Sequence, residues 1–127
     1  MDYLWIAKTE DTRHTPVFIT YFTIVHFLTG AFFYHLLAKT TSWPLSVSFF
    51  VWSIVHLIYE WKDVWTSYIV QWEGYAFEHS LFNGIGDHVF ALAGFLFAWT
   101  YRRTISPEQT AMPLMIFLTI GVFYQLE

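Results

Sequence analysis

Polar and ionisable side chains recur at helical spacing in two neighbouring segments of an otherwise apolar chain. One series contains Ser53, His56, Glu60 and Asp63, and the other contains Ser80, Asn83, Asp87, Ala91 and Gly94. Steps of three and four residues place each series on one face of a helix. Two such faces on neighbouring helices predict one shared polar site.

Imidazole and carboxylate groups at this spacing could hold a divalent cation. We expect a metal site formed by His56, Glu60, Asn83 and Asp87, with Glu60 and Asp87 as the charged catalytic groups and the other two as orienting partners. The absence of cysteine excludes thiolate ligands, iron–sulfur clusters and disulfides. No zinc-protease motif or other metal signature occurs, so the cation stays unnamed.

Other chemistries fit the same residues. The carboxylates and histidines could relay protons, with His26 or His88 as further members of the site, and haem ligation by two histidines is open in principle. Asp87 could equally form a structural hydrogen bond to Asn83 or to the second apolar segment. Glu60 could lie solvated at a membrane surface.

The elements that must position these residues are long apolar segments. Of the 127 residues, 56% are hydrophobic and 13% are charged, whereas a soluble domain has roughly 25% charged residues. The predicted spans cover about 16–37, 44–61, 80–101 and 111–126, with an interfacial amphipathic helix and turn at 62–79 and a short helix or packed arm at 1–15. The expected fold is therefore a single-domain, all-α integral membrane protein, a bundle of four spans.

Two features of the predicted spans affect packing and length. Gly84, Gly86 and Gly94 in the third span predict close approach to a neighbouring helix. The fourth span, at 111–126, falls short of the roughly 20 residues that a bilayer requires. Either a short helix crosses a locally thinned bilayer, or the sequence is part of a longer reading frame.

Charge limits the partners and leaves the topology open. The chain has a net charge of −4 and 6 Lys and Arg residues, a balance that argues against nucleic acid as a partner. The basic residues divide equally between the two sides of the predicted bundle, with Lys8, Arg13 and Lys62 on one side and Lys39, Arg102 and Arg103 on the other. The positive-inside rule therefore gives no firm orientation.

The motif Tyr59-Glu60-x-x-Asp63, followed by Asn83-Gly84-Ile85-Gly86-Asp87 and a downstream Gly94, resembles small multi-pass membrane proteins of the VanZ-like group. In that group, a Glu that ends one span is followed by an Asp and an Asn close to glycines on the next. The resemblance covers about residues 53–95. VanZ-like proteins place the Asp before the Asn and usually a Gln after the Glu, whereas Asp87 follows Asn83 and Trp61-Lys62 follow Glu60 here. The resemblance implies an intramembrane acidic site acting near lipid-linked or amphiphilic substrates, and it names no reaction.

The sequence thus predicts a multi-pass membrane protein whose acidic and histidine site binds a divalent cation or a proton for a lipid-proximal activity. One alternative is a non-catalytic accessory subunit of a larger membrane complex. Another is a small ion channel or transporter that forms by oligomerisation. The lipid bilayer is a partner in each case, joined by other subunits or by copies of this chain in the alternatives. The residues leave open whether the protein is an enzyme.

Overall fold

The computed structural model describes residues 4–6, 17–65 and 81–126. They form two short strands and four helices of 20 residues each: β1 (Leu4–Ile6), β2 (Val17–Ile19), α1 (Tyr21–Thr40), α2 (Leu45–Val64), α3 (Leu81–Thr100) and α4 (Pro107–Leu126). The prediction of an α-helical bundle is confirmed. Among the described helices, α1 is the one whose length and apolar composition suffice to cross a membrane.

The start of the first helix differs from the prediction. The chain pairs as a strand at Val17–Ile19, parallel to β1, and α1 begins only at Tyr21. Val17 and Ile19 are β-branched, which favours an extended backbone. Thr20 then ends the extended segment, and its backbone N–H donates to Thr23 Oγ1 at 2.9 Å, as a residue at a helix N-terminus does. Neither strand was predicted.

The last helix is longer than the apolar run that predicted it, because a polar first turn belongs to it. Ser106 and Gln109 form a reciprocal capping box: the Ser106 N–H donates to Gln109 Oε1 at 2.8 Å, and the Gln109 N–H donates to Ser106 Oγ at 3.3 Å. Pro107 takes the first helical position, where a missing N–H costs nothing. A helix of 20 residues is about 30 Å long.

Helices α1 and α3 pack so closely at their glycines that a side chain at those positions would overlap the facing backbone. A Cβ atom on Gly30 would overlap the backbone carbonyl of Ala91, and one on Gly94 would overlap that of Phe27. Gly86 meets the carbonyl of Phe18 in β2 in the same way. The close approach to a neighbouring helix predicted for the glycines of the third span is thus observed at Gly94, whereas Gly86 approaches β2.

The other two helices dock onto this pair through aromatic residues. On α2, Trp52 donates its indole N–H to the Ala91 carbonyl at 3.1 Å and stacks on Phe33 with ring centroids 4.4 Å apart. On the α4 side, the Tyr21 hydroxyl donates to the Phe117 carbonyl at 2.9 Å. Trp52 belongs to the bundle core. Most of the predicted helix and turn at 62–79 lies outside the described residues.

The bundle buries polar side chains and exposes apolar ones. The buried polar side chains are those of Thr20, Thr23, His26, His35, Ser48, His56, Glu60, Asn83, Asp87 and Thr110, beside six buried apolar residues in the described part of the chain. The outer faces carry large apolar groups such as Phe50, Ile58 and Phe123, each more than half exposed. Among the described residues, buried polar side chains thus outnumber buried apolar ones.

The contact between α1 and α3 makes Gly94→Ala a test of the fold. The added methyl group would push the Phe27 backbone away, and we expect the free energy of unfolding to fall by about 1–3 kcal/mol. Thermal unfolding of the purified protein measures this change. Ala93→Leu, at the exposed neighbouring position, is the control and should stay within about 0.5 kcal/mol of the parent. Equal stabilities for both variants would contradict the close approach.

Candidate functional site

A cluster of buried polar side chains lies where α1, α2 and α3 meet. Helix α1 contributes His26, α2 contributes His56 and Glu60, and α3 contributes Asp87. These four residues are called the histidine–carboxylate cluster below. Asp87 is fully buried, and Glu60 is 6% exposed. His26 and Asp87 lie near the starts of their helices and Glu60 near the end of its own, so the cluster lies towards one end of the bundle.

The His26 ring is the centre of the cluster. Its Nδ1 lies 2.8 Å from His56 Nε2, at hydrogen-bond distance. Its Nε2 lies 3.3 Å from Asp87 Oδ2 and 3.6 Å from Glu60 Oε1. His56 Nε2 is also 3.6 Å from Glu60 Oε1. One imidazole from α1 therefore contacts both carboxylates and the second imidazole.

A line of polar contacts continues from the cluster towards the side of the bundle. His56 Nδ1 lies 2.9 Å from Nδ1 of His88, whose Nε2 lies 3.4 Å from Ser53 Oγ. His88 is half-buried, so this end is less enclosed than Asp87. Three imidazoles and a hydroxyl thus form one path into the buried cluster.

The protons along this path are coupled. A neutral imidazole has one N–H and one bare nitrogen, so the two N···N contacts of His56 must have their protons pointing in the same direction. When the carboxylates are ionised, the favoured arrangement is the one in which the His26 Nε2–H points at Asp87. A cation held by Nε2 of both His26 and His56 would require both nitrogens to be bare, and it would replace the hydrogen bond between His26 Nδ1 and His56 Nε2. Each Nε2 can therefore carry a proton or a cation, but not both.

Asp87 has a strong hydrogen bond on its other oxygen. Thr23 Oγ1 donates to Asp87 Oδ1 at 2.6 Å, a short distance typical of a charge-assisted bond. The interhelical hydrogen bond that the sequence suggested for Asp87 is thus present, and it reaches α1. Threonine and histidine one turn apart on α1 together contact the carboxylate.

The cluster has the composition and spacing of a metal site. One ligand atom each from His26, His56 and Glu60 lie within 4.8 Å of one another. Ligands about 2.1 Å from a tetrahedral ion lie about 3.4 Å apart. The separations of 3.6 Å from Glu60 Oε1 to the two Nε2 atoms, and of 3.3 Å from His26 Nε2 to Asp87 Oδ2, are close to that spacing.

The predicted metal ligands are brought together only in part. His56 and Glu60 share a site as expected, and Asp87 joins them through His26. Asn83 is fully buried, and its amide donates to the backbone carbonyl of Phe18 at 3.4 Å, which ties α3 to β2. The side chains of Asp63 and Ser80, which belong to the two predicted polar series, lie outside the part that the structure describes.

Sequence reasoning named His26 and His88 only as further possibilities and did not predict their roles. His26 shares a helix face with Thr23 and Gly30, at steps of three and four residues, which was the available signal. His88 follows Asp87 directly and therefore points about 100° away from it. No periodic pattern links His88 to His56, and only the packing of α2 on α3 brings them together.

The other histidine of α1 belongs to a different environment. His35 is nine residues after His26, and the sequence predicts that the two do not share a site. His35 is 8% exposed, as His26 is. Its ring lies beside that of Tyr34, with centroids 5.2 Å apart, and its Nε2 has no hydrogen-bond partner among the described residues. It provides a matched control for experiments on His26.

Comparison of the chain with protein-family models, curated proteins and solved structures finds no match. The VanZ-like resemblance therefore stays a prediction.

Thr23→Val tests the hydrogen bond to Asp87. The substitution preserves the shape of the side chain but removes the donor to Asp87 together with the acceptor of the Thr20 N–H, and we expect a loss of about 1–3 kcal/mol in the free energy of unfolding. The control is Thr29→Val, because among the described residues the Thr29 hydroxyl bonds to the Val25 carbonyl of its own helix, at 2.7 Å. Denaturant or thermal unfolding compares the two. A larger effect at Thr29 would be inconsistent with the role given to Thr23.

Proposed function

We propose that this protein is a multi-pass membrane protein whose histidine–carboxylate cluster binds a divalent cation for a lipid-proximal activity. The observation that carries the proposal is the position of Glu60 Oε1, 3.6 Å from both His26 Nε2 and His56 Nε2. Two imidazoles and a carboxylate are a ligand set that Zn²⁺ and other divalent transition metals accept. Asp87, beside His26, would supply a fourth ligand or hold the His26 ring in place.

The membrane part of the proposal is supported by which side chains face outwards. Every helix exposes large apolar side chains, among them Ile24, Phe50, Ile58, Val89 and Ile116, each more than 40% exposed. In water, contiguous apolar faces of this extent promote association, whereas lipid accommodates them. The polar residues of α2 and α3 lower the mean hydropathy of those helices. Several of these residues are buried inside the bundle, where a membrane protein holds its polar groups.

The lipid-proximal part is supported by the depth of the cluster. His26 is the sixth residue of α1 and Asp87 the seventh of α3, which corresponds to about 10 Å along a helix axis. Groups at that depth lie below the headgroups but within reach of them. The VanZ-like resemblance supports the same placement. Two acidic residues of its motif, Glu60 and Asp87, belong to the cluster.

Metal content is the direct test of the cation site. Protein purified in mild detergent and equilibrated with Zn²⁺ or Mn²⁺ should retain about one equivalent after desalting, as measured by elemental analysis. Glu60→Gln and His26→Ala each remove a ligand, and we expect the affinity to fall by more than about tenfold, since even outer partners of metal ligands contribute that much.

His35→Ala is the matched control for His26→Ala, because both residues lie on α1 and are equally buried. It should retain the cation. Thermal unfolding of each variant separates loss of a ligand from loss of the fold. A folded parent protein without cation, or equal retention by all variants, would refute the proposed site.

The membrane placement can be tested by single-cysteine labelling, because the chain has no cysteine of its own. Ile54 and Thr104 are both exposed on the isolated bundle, Ile54 in the middle of α2 and Thr104 in the turn before α4. In native membranes opened to both sides, an impermeant maleimide should label Thr104→Cys and leave Ile54→Cys unlabelled. Both should react after denaturation. Equal labelling before denaturation would show that the middle of α2 faces water.

A second candidate function is proton transfer, favoured by the N···N contacts of 2.8 and 2.9 Å that link His26, His56 and His88. A line of imidazoles ending at a buried carboxylate is suited to relaying protons. This candidate uses the same residues without a cation. A folded parent protein that binds no divalent metal would favour it over the cation site.

A further inference from the structure

A second site candidate lies at the opposite end of the bundle, where α1 leads into α2. It is a cavity of about 140 Å³. Three aromatic side chains form much of its wall. The cavity is lined by Tyr34, Ala38, Trp43, Leu45, Ser48 and Trp99.

Ser48 supplies a polar group to this wall. Its side chain is almost completely buried, with 6% of the residue exposed. Because Ser48 lines the cavity, a ligand there that offers an oxygen acceptor could receive a hydrogen bond from the Ser48 hydroxyl.

Positive charge lies beside the same cavity. The guanidinium of Arg102 is 5.1 Å from the ring centroid of Trp99, and one of its N–H groups donates to the Trp99 carbonyl at 2.9 Å. Lys39 follows the lining residue Ala38, but Glu108 is close enough to influence it electrostatically. Arg102 is therefore the cation best placed to meet an anion at the mouth.

We propose that the cavity binds the phosphoglycerol part of an anionic phospholipid from the surrounding bilayer. Aromatic walls can pack against the glycerol and the first methylene groups, Ser48 can donate to an ester or phosphate oxygen, and Arg102 can pair with the phosphate. The acyl chains would continue over the exposed apolar side chains of Leu36 and Val47. Basic pockets between helices near the headgroups are suited to anionic lipids.

This inference rests on the membrane placement proposed above and does not depend on the cation site. The full chain in mild detergent is titrated with short-chain phosphatidylglycerol, with short-chain phosphatidylcholine and with glycerol 3-phosphate, and binding is followed by calorimetry. Phosphatidylglycerol should bind at least about tenfold more tightly than either of the others.

Arg102→Gln should abolish most of this preference, and the adjacent Arg103→Gln, at an exposed residue, should preserve it. Ser48→Leu, which fills the cavity, should weaken binding by about tenfold or more. Arg102 is exposed, so its variant keeps the test valid if Ser48→Leu fails to fold.

Three results would overturn the inference. They are equal binding of the two lipids, equally tight binding of glycerol 3-phosphate, and equal effects of the two arginine variants. Metal content measured on the same samples reports on the cation site separately, and cysteine labelling reports on membrane placement.

Discussion

The burial of two carboxylates in an apolar helical bundle is the constraint on which the site depends. A buried carboxylate is tolerated only where hydrogen bonds or opposite charge replace the lost water. Asp87 obtains one such bond from Thr23 on α1, and His26 from the same helix lies beside both Asp87 and Glu60. Glu60 lies on α2 and Asp87 on α3, so both helices must pack against α1. The placement of the carboxylates and the packing of the helices therefore depend on each other.

Glycine makes this arrangement possible. The helix containing Asp87 can reach His26 and Thr23 only if the backbones of α1 and α3 come close, and Gly30 and Gly94 allow the facing carbonyl oxygens into the space that a Cβ would occupy. These contacts lie along the same pair of helices as the carboxylate contacts. Fold stability and site geometry should consequently respond together to changes along this pair, but through different physical causes: overlap at the glycines and lost hydrogen bonding at the threonine.

Proton binding and cation binding compete within the cluster. His26 Nε2 faces the carboxylates, and the linked tautomers of His26, His56 and His88 determine whether that nitrogen is bare or protonated. A divalent cation would displace this proton, which Asp87 Oδ2, 3.3 Å from the nitrogen, could accept. The two candidate functions thus use the same side chains, which would bind a cation in one case and carry protons in the other. The aromatic cavity at the other end of the bundle is separate from both.

Periodicity and composition in the sequence were enough to predict four helices and the pairing of His56 with Glu60, because both depend on the spacing of residues within one helix. The close packing of α3 was predictable from its small side chains. The start of α1 was misplaced, since the pairing of Val17–Ile19 with a distant strand is not a local property. The sequence could not predict that His26 is the centre of the cluster, that His88 joins it, or that Asn83 binds the Phe18 carbonyl. Those contacts depend on the rotation and separation of neighbouring helices, which only tertiary packing decides.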